Sequence, residues 1–285
     1  MGDTNAIPSA RCVTRIPLMT KRRIPNQVVR PLDVGPKHAR RPAAHVRSDS
    51  LLGHPQPIKG RVQAAALTDV VLEIGVLDVN AWLAGLPRLL GKLNKAQSQL
   101  RFAQVQAPLP AGLLKSRDAL VSWVMARYDI NEKGAKEIQR NVLADEFFTA
   151  AEDIRRSLEL DYFVGVTSAM VAGTEADRFY WNYFGVSGGK LALISTADIR
   201  RYAAEAGRSF DAAVGALLLA QTLVTIDVGA EFHDENRGCL FDFNESRETL
   251  IETFRTLRIE PACIDKLQAK YRNAAIAMLA VLRRL

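Results

Sequence analysis

The strongest metal-binding side chains of this sequence lie close together at His233, Cys239 and Cys263. The whole chain has only three cysteines and four histidines, so this grouping is unusually concentrated. Imidazole nitrogen and thiolate sulfur are preferred ligands of zinc, and carboxylates complete many of its sites. Carboxylates are available in the same stretch at Glu231, Asp234, Glu235 and Asp242. The stretch therefore predicts a zinc site.

The same residues supply the components of a thiol enzyme. Cys239 follows His233 closely, with acidic side chains nearby, which is the composition of a Cys–His–acid triad. However, catalytic cysteine and histidine usually come from separated segments of a chain. A third interpretation places both cysteines in the core as small buried side chains. Zinc ligation, thiol catalysis and simple burial all remain open at this point.

A series of motifs over residues 160–268 extends this pattern. In chain order they are Gly165-Val166-Thr167, Asn182-Tyr183-Phe184-Gly185, Leu193-Ile194-Ser195-Thr196, a long apolar helix, and His233…Cys239…Cys263. Together they resemble the archaemetzincins, zinc metallopeptidases of the metzincin clan. Members of that family carry His-Glu-x2-His-x2-Gly-x2-His-Cys-x4-Cys-x-Met followed by Cys-x2-Cys. Their three histidines bind catalytic zinc, the glutamate is the general base, and four cysteines bind a structural zinc.

The catalytic part of that motif is degenerate in this chain. When His233 is placed on the third histidine, Leu223 and Val224 stand at the first histidine and the general base, and Asp227 stands at the second histidine. Leucine and valine neither bind zinc nor accept a proton. The resemblance thus implies a peptidase-like fold that is non-hydrolytic. The alternative is an active hydrolase with a rebuilt zinc site of His233, Asp227 and Glu231.

The structural-zinc part is better preserved. By resemblance, Asp234 replaces one cysteine, Cys239 matches another, and Glu260 and Cys263 occupy the Cys-x2-Cys positions after a one-residue insertion. The implied set of two thiolates and two carboxylates would bind zinc more weakly than four thiolates. Asp242 and His233 are alternative donors that could complete the same site.

The elements that must position these residues predict an α+β fold. Hydrophobic spacing predicts helices through most of residues 61–158, although residues 70–77 predict either a strand or the start of a helix. Short apolar runs at 162–167, 180–185 and 190–195 predict a small mixed sheet. Residues 211–228 are apolar on nearly every face, which is typical of a helix through a domain centre. The expected order is a helical N-terminal part, the sheet, the central buried helix and a helical C-terminal part.

Aromatic side chains cluster in the predicted sheet at Tyr180, Trp181, Tyr183 and Phe184. Such clusters more often form the core and edge of a small sheet than a binding groove. Given the degenerate catalytic motif, we nevertheless expect a peptide or protein partner to bind along this edge.

Charge and proline content divide the chain. Residues 1–60 contain 11 Lys/Arg against 3 Asp/Glu and eight of the twelve prolines, which predicts a basic, disordered leader. The rest of the chain is nearly neutral, and we expect one globular domain over 61–285 with a mainly helical part (61–158) and a metzincin-like part (159–285). The leader alternatively is an upstream extension absent from the mature protein, or an arm that binds nucleic acid without sequence specificity.

Cysteine content and hydropathy indicate in which cellular compartment the protein is expected. Three unevenly spaced cysteines do not form a disulfide framework, which favours a reducing compartment. Prolines and arginines interrupt every apolar run of the leader, unlike a secretory signal. We therefore expect a cytoplasmic protein without a membrane span.

Overall fold

The computed structural model describes residues 71–114, 118–126, 132–175, 178–244 and 246–285. The predicted leader lies outside these residues, as does the nucleic-acid binding expected from it.

The described residues contain a mixed first half, five successive strands within residues 162–195, and then helices only. The strands are β1 (Leu72–Asp78), β2 (Leu100–Val105), β3 (Val142–Leu143), β4 (Tyr162–Thr167), β5 (Val171–Glu175), β6 (Arg178–Tyr183), β7 (Gly185–Gly188) and β8 (Leu191–Ser195). The helices are α1 (Leu86–Ala96), α2 (Asp118–Met125), α3 (Glu132–Gln139), α4 (Ala144–Ser157), α5 (Ile199–Glu205), α6 (Phe210–Ile226), α7 (Leu250–Thr256), α8 (Pro261–Lys266) and α9 (Ala269–Leu282), with a 3-10 turn at Arg247–Thr249.

A five-stranded sheet in the order β2-β1-β4-β8-β7 lies at the centre. Its first four strands are parallel, while β7 runs antiparallel to β8 and forms one edge. A smaller sheet has the order β3-β5-β6. The predicted α+β class is confirmed, and β1 agrees with the strand alternative for residues 70–77. One detail differs: β2 comes from the region predicted to be mainly helical. The apolar alternation in β2 spans only six residues directly after α1, too short a pattern to stand out.

Alternate residues of the central strands face two separate hydrophobic cores. In β4, Val164 and Val166 pack in the core that includes α6, whereas Phe163 faces the core of α4. There its ring lies 6.4 Å from that of Phe147. Because helices cover both faces, a parallel strand must be apolar at almost every position, which explains the continuous apolar run of β4.

Helix α6 crosses the larger core, as the sequence predicts, and most of its residues are buried. Ser209 caps it by accepting a hydrogen bond from the Ala212 N–H at 3.1 Å. Among the described residues, no single helix is long and apolar enough to cross a membrane. Helices α5 and α6 satisfy that test only as a pair, bent by 110°.

Close packing of α4 on β4 requires a glycine at position 165. A Cβ there would overlap the Phe147 ring and approach Leu193 Cδ1 to 3.0 Å. We expect Gly165→Ala to lower the free energy of unfolding by about 1–3 kcal/mol because the core is overpacked. The control is Gly91→Ala in α1, where a Cβ meets nothing within 4 Å. This change should raise stability by up to about 1 kcal/mol through helix propensity. Urea denaturation measures both, and equal effects would contradict the packing argument.

Candidate metal centre

The loop that follows α6 folds back on itself. The His233 N–H donates to the Phe241 carbonyl at 2.9 Å, and the His233 carbonyl accepts from the Phe243 N–H at 2.7 Å. Residues 234–242 therefore form a loop whose two ends are joined by backbone hydrogen bonds. Within it, Gly238 has φ +77°, a conformation that glycine adopts without the steric cost of a side chain.

A buried carboxylate organises this loop. Asp242 Oδ2 accepts hydrogen bonds from the backbone N–H groups of Arg237, Gly238 and Cys239 at 2.8, 2.6 and 3.0 Å. Burial raises the pKa of Asp242, and the three N–H groups and His233 act in the opposite direction. The turn that presents Cys239 is therefore held by the side chain of Asp242.

The two cysteine sulfurs lie 3.9 Å apart, both in buried residues. Two thiolates on a tetrahedral zinc lie about 3.7–3.8 Å apart, given Zn–S bonds near 2.3 Å, so the pair fits one ion with little movement. Cys239 Sγ also accepts the N–H groups of Phe241 at 3.5 Å and Glu260 at 3.4 Å. Burial, and next the proximity of Cys239, raise the pKa of Cys263 to about 12, so a metal must displace its proton.

Four side chains converge at this point: His233, Cys239, Glu260 and Cys263 each offer a donor atom, all within 4.8 Å of one another. Three of them belong to the set expected for structural zinc. Asp234 does not join the group, and it is exposed. The adjacent His233, an alternative donor from the sequence, lies in its place.

The orientation of His233 leaves one ring nitrogen without a partner. Nδ1 lies 3.1 Å from the Glu235 carbonyl, which can only accept, so the proton belongs on Nδ1. When the ring is neutral, Nε2 carries a lone pair; it is buried, forms no hydrogen bond, and lies 3.6 Å from the equally unpartnered Asp242 Oδ1, a contact that is an ion pair when the ring is protonated. Two buried acceptors facing each other are unfavourable. A cation at Nε2 removes that cost, and a carbonyl on the other nitrogen is the usual support of a metal-bound histidine.

Glu260 connects the two cysteines through its backbone. Its N–H donates to Cys239 Sγ, and its carbonyl accepts the N–H of Cys263 at 3.0 Å. Its side chain faces two guanidinium groups: Oε2 lies 2.8 Å from Arg237 Nη2, and Oε1 lies 3.6 Å from Arg258 Nη2. The carboxylate is thus within reach of the metal position but already paired.

The acids named for a rebuilt catalytic site have other partners. The buried Asp227 accepts from the Gly229 N–H at 2.9 Å, and from the N–H and side-chain amide of Gln268 at 2.8 and 3.3 Å. Glu231 pairs with Lys266 at 2.6 Å. Neither belongs to the donor group of His233. Asp227 instead links the end of α6 to the start of α9. This role could not be predicted from the sequence, because the partner Gln268 is distant in the chain.

The predicted aromatic cluster is only partly described. Tyr183 and Phe184 are half-buried and pack against the two cores. The buried Arg247 lies with its guanidinium 5.0 Å from the Phe184 ring centre and donates to the Tyr183 carbonyl at 3.3 Å. Tyr180 and Trp181 are on strand β6, but their side chains lie outside what the structure describes. Arg247 supports the cluster, and the sequence pattern did not reveal it.

No protein-family model matches this chain, and no curated protein matches it. Its structure is similar to that of an archaemetzincin from Methanopyrus kandleri, with 14% identity, a TM-score of 0.44, and coverage of 75% of this chain and 94% of that one. An archaemetzincin from Archaeoglobus fulgidus, complexed with malonate, gives 14% identity, a TM-score of 0.42, and coverage of 69% and 100%. A zinc-dependent peptidase from Methanocorpusculum labreanum gives 14% identity, 0.37, and coverage of 69% and 100%.

The resemblance to archaemetzincins stated from the residues is therefore also found among solved structures.

The contacts of Asp227 predict a structural role that can be separated from metal binding. Asp227→Ala removes an acceptor used by three N–H donors, and we expect the free energy of unfolding to fall by about 2 kcal/mol. The zinc affinity of the folded protein should not change. Calorimetric unfolding together with zinc titration measures both quantities. A loss of zinc affinity without a loss of stability would instead favour the rebuilt catalytic site.

Proposed function

We propose that this chain is a non-hydrolytic, zinc-binding protein with a metallopeptidase-like fold. The zinc is held by His233, Cys239 and Cys263, with Glu260 in reach. The observation that supports this most directly is the convergence of two sulfurs 3.9 Å apart with the imidazole of His233, which has one buried, unpartnered nitrogen. Core cysteines need no such neighbour, whereas a metal site does.

Zinc in this position would supply a cross-link. It would join the loop of residues 233–243 to the start of helix α8, which approach each other where the Glu260 N–H donates to Cys239 Sγ. Ligands from separate segments make metal binding part of the folding free energy. The bound ion would therefore stabilise the C-terminal part of the molecule.

The surroundings of the donors support the non-hydrolytic part of this proposal. Leu223 is fully buried in the core at the position of the first motif histidine. Asp227 and Glu231 are engaged with other residues, so neither is placed to activate water near His233. The thiol alternative meets a different obstacle, since Cys239 has 0% exposure and a substrate carbonyl needs direct access to the sulfur.

The metal content of the purified chain tests the proposal. We expect about one zinc per chain, and removal of a direct ligand in Cys239→Ser or His233→Ala should weaken binding by more than the ~10-fold lost with supporting groups. Asp234→Ala is the matched control, because this exposed carboxylate neighbours His233 but lies outside the group. Elemental analysis and competition with a chromophoric chelator measure both. A wild-type chain that takes up no added zinc, or Cys239→Ser that retains it, contradicts the site.

We also propose that a peptide or protein partner binds along the edge formed by β7, beside Tyr183 and Phe184. In the described residues β7 pairs with β8 on one side only, at the margin of the larger sheet. An extended segment can add to such an edge through backbone hydrogen bonds, while side-chain pockets give specificity. The aromatic side chains at the end of β6 lie next to this edge in sequence.

Hydrogen exchange can locate this contact. Peptides selected for binding from a random library should slow amide exchange in Gly185–Gly188. The opposite edge strand β2 is an internal control and should exchange at an unchanged rate. Protection at β2, or at neither edge, would count against docking at β7.

A further inference from the structure

We infer that the metal at this centre keeps one exchangeable coordination position that accepts a small anion, because Arg237 and Arg258 hold Glu260 out of the ligand set. The inference rests on the proposed zinc site and concerns only its fourth ligand.

Three of the four donors are free to bind a cation. His233 Nε2 has no hydrogen-bond partner, and the two sulfurs face each other at 3.9 Å without a charged partner between them. No ion pair involves either sulfur, and the carboxylates nearest to the His233 ring nitrogens lie 3.6 Å away, beyond hydrogen-bond distance. Two cysteines and one histidine also form a set that occurs in catalytic zinc sites with an open fourth position.

Glu260 is in a different state. Its carboxylate is 2.8 Å from Arg237 on one oxygen and 3.6 Å from Arg258 on the other. To bind the metal, it would have to weaken at least one charge-assisted contact in a site where it is only 15% exposed. Its backbone is fixed between the cysteines, so movement of the whole residue cannot relieve the conflict.

The side of the site that carries Glu260 and Arg237 is partly exposed to solvent. The side chains of His233 and Glu260 retain 16% and 15% exposure, and Arg237 is about half-exposed at 49%, whereas Cys239 is fully buried. A small anion can therefore arrive beside Arg237, whose partly exposed guanidinium keeps its pairing with Glu260 and adds positive charge next to that position. A monodentate carboxylate or pseudohalide has the size and charge that this position would accept.

Cobalt(II) in place of zinc tests this inference in the full chain. Thiolate-to-cobalt charge-transfer bands report the sulfurs, and the visible bands report the fourth ligand. We expect sodium thiocyanate to produce a saturable change in the visible bands, and sodium perchlorate at equal ionic strength to produce none. Glu260→Gln should keep this response, with a change in cobalt affinity below the ~10-fold expected for a lost supporting group.

A double substitution separates the role of Arg237. Arg237→Ala frees Glu260 to enter the ligand set, so the thiocyanate response should weaken, and adding Glu260→Gln should restore it. A wild-type protein that binds cobalt without any thiocyanate response, with altered bands in Glu260→Gln, would show Glu260 to be the fourth ligand and overturn the inference. Failure to develop charge-transfer bands would instead refute the proposed metal site.

Discussion

The Asp242 carboxylate accepts hydrogen bonds from three successive backbone N–H groups, and the geometry of the donor site depends on that arrangement. Without Asp242 those groups would lack this acceptor near the protein interior, at a cost of about 1–3 kcal/mol for each one left unpaired in a buried position. The turn they define brings the Cys239 sulfur to face Cys263. Asp242 Oδ1 then lies against His233, so one side chain positions one ligand and borders another.

Helices hold this loop on both sides. The loop follows helix α6, which lies in the larger core. Asp227 at the end of that helix accepts a hydrogen bond from the Gln268 N–H at the start of α9. On the other side, the short helix α8 presents Cys263 directly after Glu260. The donor residues therefore lie where the ends of α6, α8 and α9 come together. Their positions depend more on the backbone than on flexible side chains.

The sequence allowed some of these features to be predicted because their residue types are rare or their patterns long. Cys239, Cys263 and Glu260 stood out by chemistry, and α6 by its apolar character on every face. Asp234 and His233 could not be ranked from sequence, because neighbouring residues in a loop can face opposite ways, and the backbone pairing of His233 with Phe241 and Phe243 is visible only in the structure. The role of Asp227 was equally hidden, since its partner Gln268 lies 41 residues further along the chain.

The order of elements has a consequence for how the protein is made. All five strands of the larger sheet precede Thr196, whereas the donor residues begin only at His233. During synthesis the complete sheet sequence therefore leaves the ribosome before any metal ligand does, and domains commonly acquire structure in that direction. Metal capture would be a late and local event, and its reversal would loosen the final segment of the chain while the sheet stays assembled.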